Sequence, residues 1–301
     1  MKIIVSGSSG LVGTAVVDSL RADGHSIGRL VRSGSAGTAD ATSKLIRWEP
    51  PTGSIDLAAM EGADAVVHLA GASIAGGRWS AARKQELRRS RVDATRHLVA
   101  GLAQLKAKPR VLVSAAAIGY YGDRGDEVLM EASAPGNDFL AQLCRDWETE
   151  AAKAEHEGIR TVMLRFGIVL AAHGGALRQM IGPFRLGVGG KLGNGRQWMS
   201  WITLEDVAAL IRYAIEKDWP RGPVNAVAPN AVTNAEFTSV LAGVLHRPAL
   251  FPMPRPALKL AFGEMADVLV ASQHVIPEKL NTAGYPFRHA HLREALTSIL
   301  D

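Results

Sequence analysis

Cysteine is almost absent: Cys144 is the single one in 301 residues. A lone thiol excludes an internal disulfide framework and accords with a reducing compartment, and such a side chain is expected in buried packing rather than in chemistry. Long apolar runs are missing as well. No segment approaches the roughly 18 residues needed to cross a bilayer. The opening MKIIVSGSSG reads as a strand entering a glycine turn, not as a secretion leader, so no membrane partner and a cytoplasmic location are expected. The nine histidines show no H-x-x-x-H spacing and there is no C-x-x-C, which argues against a metal site. There is neither a G-x-S-x-G elbow nor a Walker A lysine pattern, which removes ready-made hydrolase and NTPase chemistry.

Excess charge is modest, +5, and concentrated in RKQELRRSRVDATRH at 83–97. That pattern fits a helix with an arginine-rich exposed face, either solvated or touching phosphates of the protein's own ligand. No aromatic platform accompanies it, so no nucleic-acid partner is expected.

What is present is alternation. Apolar runs at Lys2 to Ser6, Ser26 to Val31, Leu45 to Trp48, Ala65 to Ala70, Arg110 to Ala115 and Thr161 to Arg165 read as strands. Helical patterns near Gly13 to Asp23, Ser80 to Lys106 and Asp138 to Glu157 lie between them. AVVHLAG and RVLVSAAA are nearly continuous apolar runs, as strands covered on both faces should be. The fold class that follows is α/β, a Rossmann-like doubly wound parallel sheet with a smaller C-terminal lobe. Residues 1–170, joined by 202–228, are assigned to the first domain, and 171–201 with 229–301 to a substrate-side lobe. The stretch 173–201 is so rich in glycine that loops are expected there, and Thr203 opens a capped helix. The tail carries helical patterns at Ala257 to Ser272 and His289 to Leu300.

Gly7, Gly10 and Gly13 stand in GSSGLVG between the first strand and the first helix. In that setting the first glycine permits the turn, the second admits a pyrophosphate close to the backbone, and the third lets the helix pack on the sheet. The free amides of the helix N-terminus then face the phosphate charge. The second strand ends in LVRSG, where Arg32, beside Ser33 and near Arg29, suits the 2′-phosphate of NADP better than the ribose diol of NAD. NADP(H) is therefore the expected cofactor.

GSSGLVG, HLAGASI and SAAAIGYYGD together resemble the extended and atypical short-chain dehydrogenase/reductase superfamily, of the NAD-dependent epimerase/dehydratase type. LRFGIVLAAHGGAL, GVGGKLGNGRQWMSWITLEDV, GPVNAVAPNAVTNAEF, RPALFPMP and VIPEKLNTAGYPF extend the resemblance over essentially the whole chain, to a subgroup of epimerase-like proteins. The resemblance implies that Gly7, Ser8, Ser9, Gly10, Leu11, Val12 and Gly13 surround the pyrophosphate and that Arg32 and Ser33 meet the 2′-phosphate. His68, Leu69, Ala70, Gly71 and Ala72 would line the adenine and ribose side. Ser114, Ala115, Ala116, Phe166, Gly167 and Ile168 would lie near the nicotinamide. It also exposes a departure. The superfamily's proton donor, a Tyr-x-x-x-Lys pair, falls at Phe139 and Leu143, and its Ser near Ala116 or Ala117. Phe cannot donate a proton and Leu carries no charge to tune one. Tyr120 and Tyr121, assisted by Ser114, are the replacements expected from the sequence. Two other readings stand beside that one: chemistry that needs no protein acid, or NADP(H) binding without turnover in a sensor or assembly protein. Arg196, Gln197, Trp198, Ser200 and Trp201, after flexible glycines, suit a substrate mouth. The expected partners are an unidentified small molecule and a second copy of the chain in a homodimer.

Overall fold

The computed structural model describes residues 1–32 and 43–301. Its main sheet comprises β1 (Lys2–Ser6), β2 (Ser26–Val31), β3 (Ser43–Glu49), β4 (Ser54–Ile55), β5 (Ala65–His68), β6 (Val111–Ala117), β7 (Arg160–Phe166) and β8 (Gly222–Ala226). Their spatial order is β8-β7-β6-β5-β1-β2-β3-β4. All neighbours are parallel except the two-residue β4, which runs antiparallel to β3 at the edge. The order reverses between β2 and β5 on either side of β1, so a crevice opens at the carboxyl ends of β1 and β5.

The principal helices are α1 (Leu11–Ala22), α2 (Ala81–Arg88), α3 (Ala94–Ala103), α4 (Phe139–Ala152), α5 (Gly175–Arg185), α6 (Leu204–Glu216), α7 (Asn234–Val244), α8 (Arg255–Phe262), α9 (Met265–Val270) and α10 (Leu292–Leu300). Strand side chains alternate between two cores. Ile3, Val5, Val67 and Val113 meet Val16 and Leu20 of α1 and Leu210 and Ile211 of α6. Ile4, Val66 and Leu112 meet Leu98 and Leu102 of α3 on the opposite face. Burial on both faces is why these strands read as unbroken apolar runs rather than as alternating ones. A separate cluster, including Leu177, Phe184, Trp201, Phe237, Leu241 and Leu296, ties α5, α7 and α10 together.

Three expectations change. The glycine-rich stretch is not all loop, because α5 occupies Gly175–Arg185; Leu177, Ile181 and Phe184 fall on one buried face at helical spacing. The helical run at 257–272 is two helices, broken where Gly263 takes a φ of +62°. The run at 80–106 is interrupted by a π-helical turn at Arg89–Asp93 between α2 and α3. Thr203 does cap α6, its side chain accepting from the Asp206 amide.

Candidate functional site

β1 delivers the chain to Gly7, whose φ is +68°. A Cβ at Gly7 would lie 2.7 Å from the Leu69 carbonyl oxygen and the Ala70 nitrogen, and one at Gly13 only 2.1 Å from the Gly7 oxygen. Gly10 differs. A Cβ there would meet nothing nearer than the Gly7 oxygen at 3.4 Å, an ordinary contact. The protein's own packing thus requires glycine at 7 and 13 but not at 10, whose open surface admits a ligand against the backbone. Gly10 is also the N-cap of α1 and supplies no side-chain cap. The first intrahelical bond runs from Thr14 N to Gly10 O at 2.9 Å, so the amides of Leu11, Val12 and Gly13 precede it and suit phosphate oxygens. Ser8 is buried and its Oγ accepts from Arg29 Nε at 2.9 Å, whereas Ser9 is exposed. Arg32 is exposed just beyond β2, and Ser33 lies outside the described residues. This cradle fits a dinucleotide pyrophosphate.

Leu69, Ala70 and Ala72 are half-buried and Gly71 exposed along the loop after β5, but the His68 side chain points into the core. Its Nδ1 lies 2.7 Å from Ser6 Oγ and its Nε2 3.0 Å from Thr95 Oγ1. Ser6 Oγ already accepts from the Leu69 and Ala70 amides, so its own proton goes to Nδ1 and the ring proton sits on Nε2. Only neutral imidazole satisfies this arrangement, and burial pulls the pKa down to about 4 from 6.5. The folded state therefore takes up this proton later than the unfolded chain does. Its contribution is whole above pH 6.5 and is lost as the pH falls toward 4. The loss amounts to about 3 kcal/mol at about 1.4 kcal/mol per pH unit. Urea midpoints measured from pH 7.5 to 4.5 should fall accordingly, and a His68→Asn variant should show a flatter profile.

Of the residues expected near the nicotinamide, Ala115 and Ala116 are buried at the end of β6, and Phe166, Gly167 and Ile168 are half-buried where β7 ends. A Cβ on Gly167 would lie 2.5 Å from the Ser200 oxygen, so that glycine is required by the chain crossing it. The wall around Ala115 is apolar: Leu69, Leu87, Phe139, Leu143, Trp147 and Phe166 cluster there. Ser114 is fully buried and its hydroxyl donates to the Ala115 carbonyl at 3.2 Å. Cys144 is buried too, and burial pushes its thiol up to about 12.

Of the two tyrosines, Tyr121 has its hydroxyl bonded within the protein. Tyr121 is fully buried, with its hydroxyl 2.9 Å from the Met130 carbonyl and 2.7 Å from Asn225 Oδ1 while it accepts from Arg165 at 2.9 Å. Burial raises its pKa to about 12. Tyr120 is half-buried and offers its ring face to the Arg165 guanidinium, 3.6 Å away. Arg165, almost fully buried on β7, meets Glu148 of α4 in a bidentate pair at 2.7 and 2.8 Å. Burial works against its charge, but the Glu148 pair outweighs it and raises the pKa. Glu131 accepts from the Asn225 amide at 3.0 Å, which extends this network to β8. The Ser114 and Tyr121 hydroxyls are both buried and hydrogen-bonded within the protein. No residue pattern announced the network, because its members are separated by up to 104 residues.

The expected substrate mouth divides. Trp201 and Ser200 are fully buried and Gln197 nearly so. Trp201 Nε1 donates to Asn230 O at 3.0 Å, Ser200 Oγ to Gln273 O at 2.8 Å, and Gln197 Nε2 to Leu192 O at 3.1 Å. All three side chains are thus engaged by backbone carbonyls of the protein itself. Trp198 remains half-buried, stacked on His274 at 3.9 Å and donating to Asp126 at 3.0 Å, and Arg196 is exposed.

A parallel sheet with a glycine turn at its switch point defines a dinucleotide-binding protein of the Rossmann type. A model of the NAD dependent epimerase/dehydratase family matches residues 3–226, and a domain of unknown function, DUF1731, matches residues 253–299. The chain belongs to the NAD dependent epimerase/dehydratase family. It is 44% identical over 295 residues to an epimerase family protein of Mycobacterium bovis, covering 98% of this chain and 96% of that one. It is 38% identical over 307 residues to the chloroplastic SDR39U1 homolog of Arabidopsis thaliana, covering 100% of this chain and 87% of the relative. The crystal structure of human epimerase family protein SDR39U1 with NADPH superposes with a TM-score of 0.90 at 32% identity, covering 99% of each chain. No helix among the described residues is long and apolar enough to cross a membrane.

Proposed function

We propose that this chain is an NADP(H)-dependent oxidoreductase or epimerase-like enzyme acting on a small molecule. The observation that carries the reading is Gly10, an open glycine at an uncapped helix N-terminus that nothing in the protein's own packing requires. The human relative crystallised with NADPH supports it. NADP(H) supplies hydride when bound. The chain's part is to hold the pyrophosphate on the α1 amides, to meet the 2′-phosphate with Arg32 beside the Arg29–Ser8 pair, and to keep water from the nicotinamide with the apolar wall around Ala115. Residues 1–170 with 202–228 form the nucleotide side in this reading, and 171–201 with 229–301 the substrate side.

Calorimetric titration with NADPH and NADH tests it. NADPH should bind more tightly, and Arg32→Asp should cut that preference about tenfold or more, the scale of one charge-assisted phosphate contact. An unchanged ratio would remove Arg32 from the phosphate site. Binding without turnover is a second reading, favoured by Phe139 and Leu143 where a tyrosine and a lysine are lacking. A screen of carbonyl and enone compounds, followed by loss of NADPH absorbance, separates the two.

A further inference from the structure

The basic run at 83–97 is not a single solvated face. Arg88 and Arg89 are exposed, but Ser90 and Arg91, the next residues of the π-helical turn, are half-buried. Lys84 Nζ lies 5.3 Å from the centre of the Phe139 ring, and the Arg91 guanidinium carbon lies 5.3 Å from that of Trp147, so α4 covers this side of the segment. What the turn reaches is the loop after β5. Ser90 Oγ accepts from the Ala72 amide at 3.1 Å, and Arg91 Nη2 donates to the Ala72 carbonyl at 2.9 Å. Two adjacent side chains thus satisfy both main-chain groups of one loop residue. Neighbouring side chains on a regular α-helix diverge by about 100°. Here the winding departs from α at the pair that shares a target. The Ser90 hydroxyl gives its own proton to the Leu87 carbonyl at 3.1 Å, which leaves its lone pairs for the Ala72 amide.

The other end of the loop is tied to β1, where Ser6 Oγ accepts from the Leu69 and Ala70 amides. Between these anchors the loop lies on the glycine turn, since a Cβ at Gly7 would come within 2.7 Å of Ala70 N. The Arg91 guanidinium is pressed against Gly71, whose Cβ would lie 3.2 Å from its central carbon. Ala72 is therefore fixed one residue beyond the point where loop and guanidinium meet, at the crevice between β1 and β5. The remaining hydrogen bonds of Arg91 go to Leu87 O and Ser90 Oγ, both 3.4 Å long, so every partner is neutral. Burial accordingly lowers its pKa. A charge taken from water without a carboxylate costs free energy that an apolar side chain of similar length would not. Stability does not account for an arginine at this position.

We propose that Ser90 and Arg91 are positioning residues for the cofactor: together they clamp Ala72 and hold the loop 69–72 in the form that receives NADP(H). This deepens the functional reading above, on which it rests. Without the clamp the loop occupies other positions, and the apparent affinity falls by the fraction of molecules in which it is misplaced. Folding does not need the clamp; nucleotide binding does.

The full-length protein and its Arg91→Met, Arg91→Lys and Ser90→Ala variants are titrated with NADPH by calorimetry. Hydrogen exchange over residues 69–73 without nucleotide and urea unfolding are measured on the same samples. Arg91→Met should bind NADPH about tenfold more weakly, the scale of a lost hydrogen bond, exchange faster over the loop, and unfold at a urea concentration no lower than the wild type. Arg91→Lys should recover most of the affinity, because an ammonium can still donate to the Ala72 carbonyl. Ser90→Ala should weaken binding and speed exchange in the same sense, since the Ala72 amide loses its acceptor. Arg88→Gln, which removes an exposed charge paired with Asp146, should change neither. Wild-type affinity in both Arg91→Met and Ser90→Ala would overturn the proposal. Weaker binding with unchanged loop exchange would make Arg91 a direct ligand of the nucleotide, and an equal loss in Arg88→Gln would make the effect one of net charge; either overturns it as well. If Arg91→Met does not fold, Ser90→Ala and Arg91→Lys decide. A wild type without NADPH affinity refutes the cofactor reading and this inference with it, whereas unaffected variants of a binding wild type refute this inference alone.

Discussion

Gly10→Leu should fold as the wild type does and lose NADPH affinity about a hundredfold or more. The size follows from displacing one or two charge-assisted amide contacts, each about 1.5–3 kcal/mol, at about 1.4 kcal/mol per decade. Folding is spared because the backbone at Gly10 is extended, with φ −78° and ψ 171°, and a Cβ there makes only an ordinary contact at 3.4 Å. Gly13→Ala is the counterpart and should fail in the opposite way. Its Cβ would lie 2.1 Å from the Gly7 oxygen, so the helix must move off the turn and stability must fall before any ligand is added. Calorimetry for affinity and urea unfolding for stability separate the two. Retained NADPH affinity in Gly10→Leu would take the turn out of the nucleotide site.

The largest loss of stability is expected from Arg165→Met, about 3–5 kcal/mol, because it leaves the Glu148 carboxylate buried and unpaired. The same substitution withdraws a donor from the Tyr121 hydroxyl and the cation from the Tyr120 ring. Adding Glu148→Leu to Arg165→Met should restore most of the loss, since desolvated pairs often gain little over apolar residues of similar volume. Urea denaturation of the wild type, both single variants and the double variant closes the cycle. Additive losses in the double variant would show that the guanidinium matters through its tyrosine and backbone contacts rather than through its charge.

The parts legible in the sequence were those whose cause is local. The glycine turn is read from seven consecutive residues because each glycine answers a constraint within the turn or one strand away. β1, β2, β5, β6 and β7 are read from apolar runs because burial on both faces removes any polar interruption. β8 escaped as a strand in its own right because Gly222 and Pro223 begin it, at an edge where only β7 is its neighbour. The helix α5 was masked by the glycines around it, although Leu177, Ile181 and Phe184 carry a helical period. The site was harder, since its polar contacts span the chain. Tyr121 looked available from its position beyond β6, yet Asn225 and Arg165 determine what its hydroxyl does. Lys84 and Arg91 looked solvent-facing within a basic run, and only the packing of α4 against their helix turns them inward.

The strand order has a consequence for how the chain assembles during synthesis. After β1, the strands β2, β3 and β4 extend the sheet in one direction as they emerge, and β5, β6 and β7 extend it in the other, each beside an edge already present. Such growth never requires a strand to be inserted between two others. The last strand departs from this economy. Asn225 of β8 donates to the Ile276 carbonyl at 2.9 Å, and the strand His274–Val275 pairs with Val128–Leu129. The outer edge is therefore completed only when residues some fifty positions further along have left the ribosome. A nascent chain stalled before that point presents an unsecured parallel edge, the kind of surface that chaperones must shield.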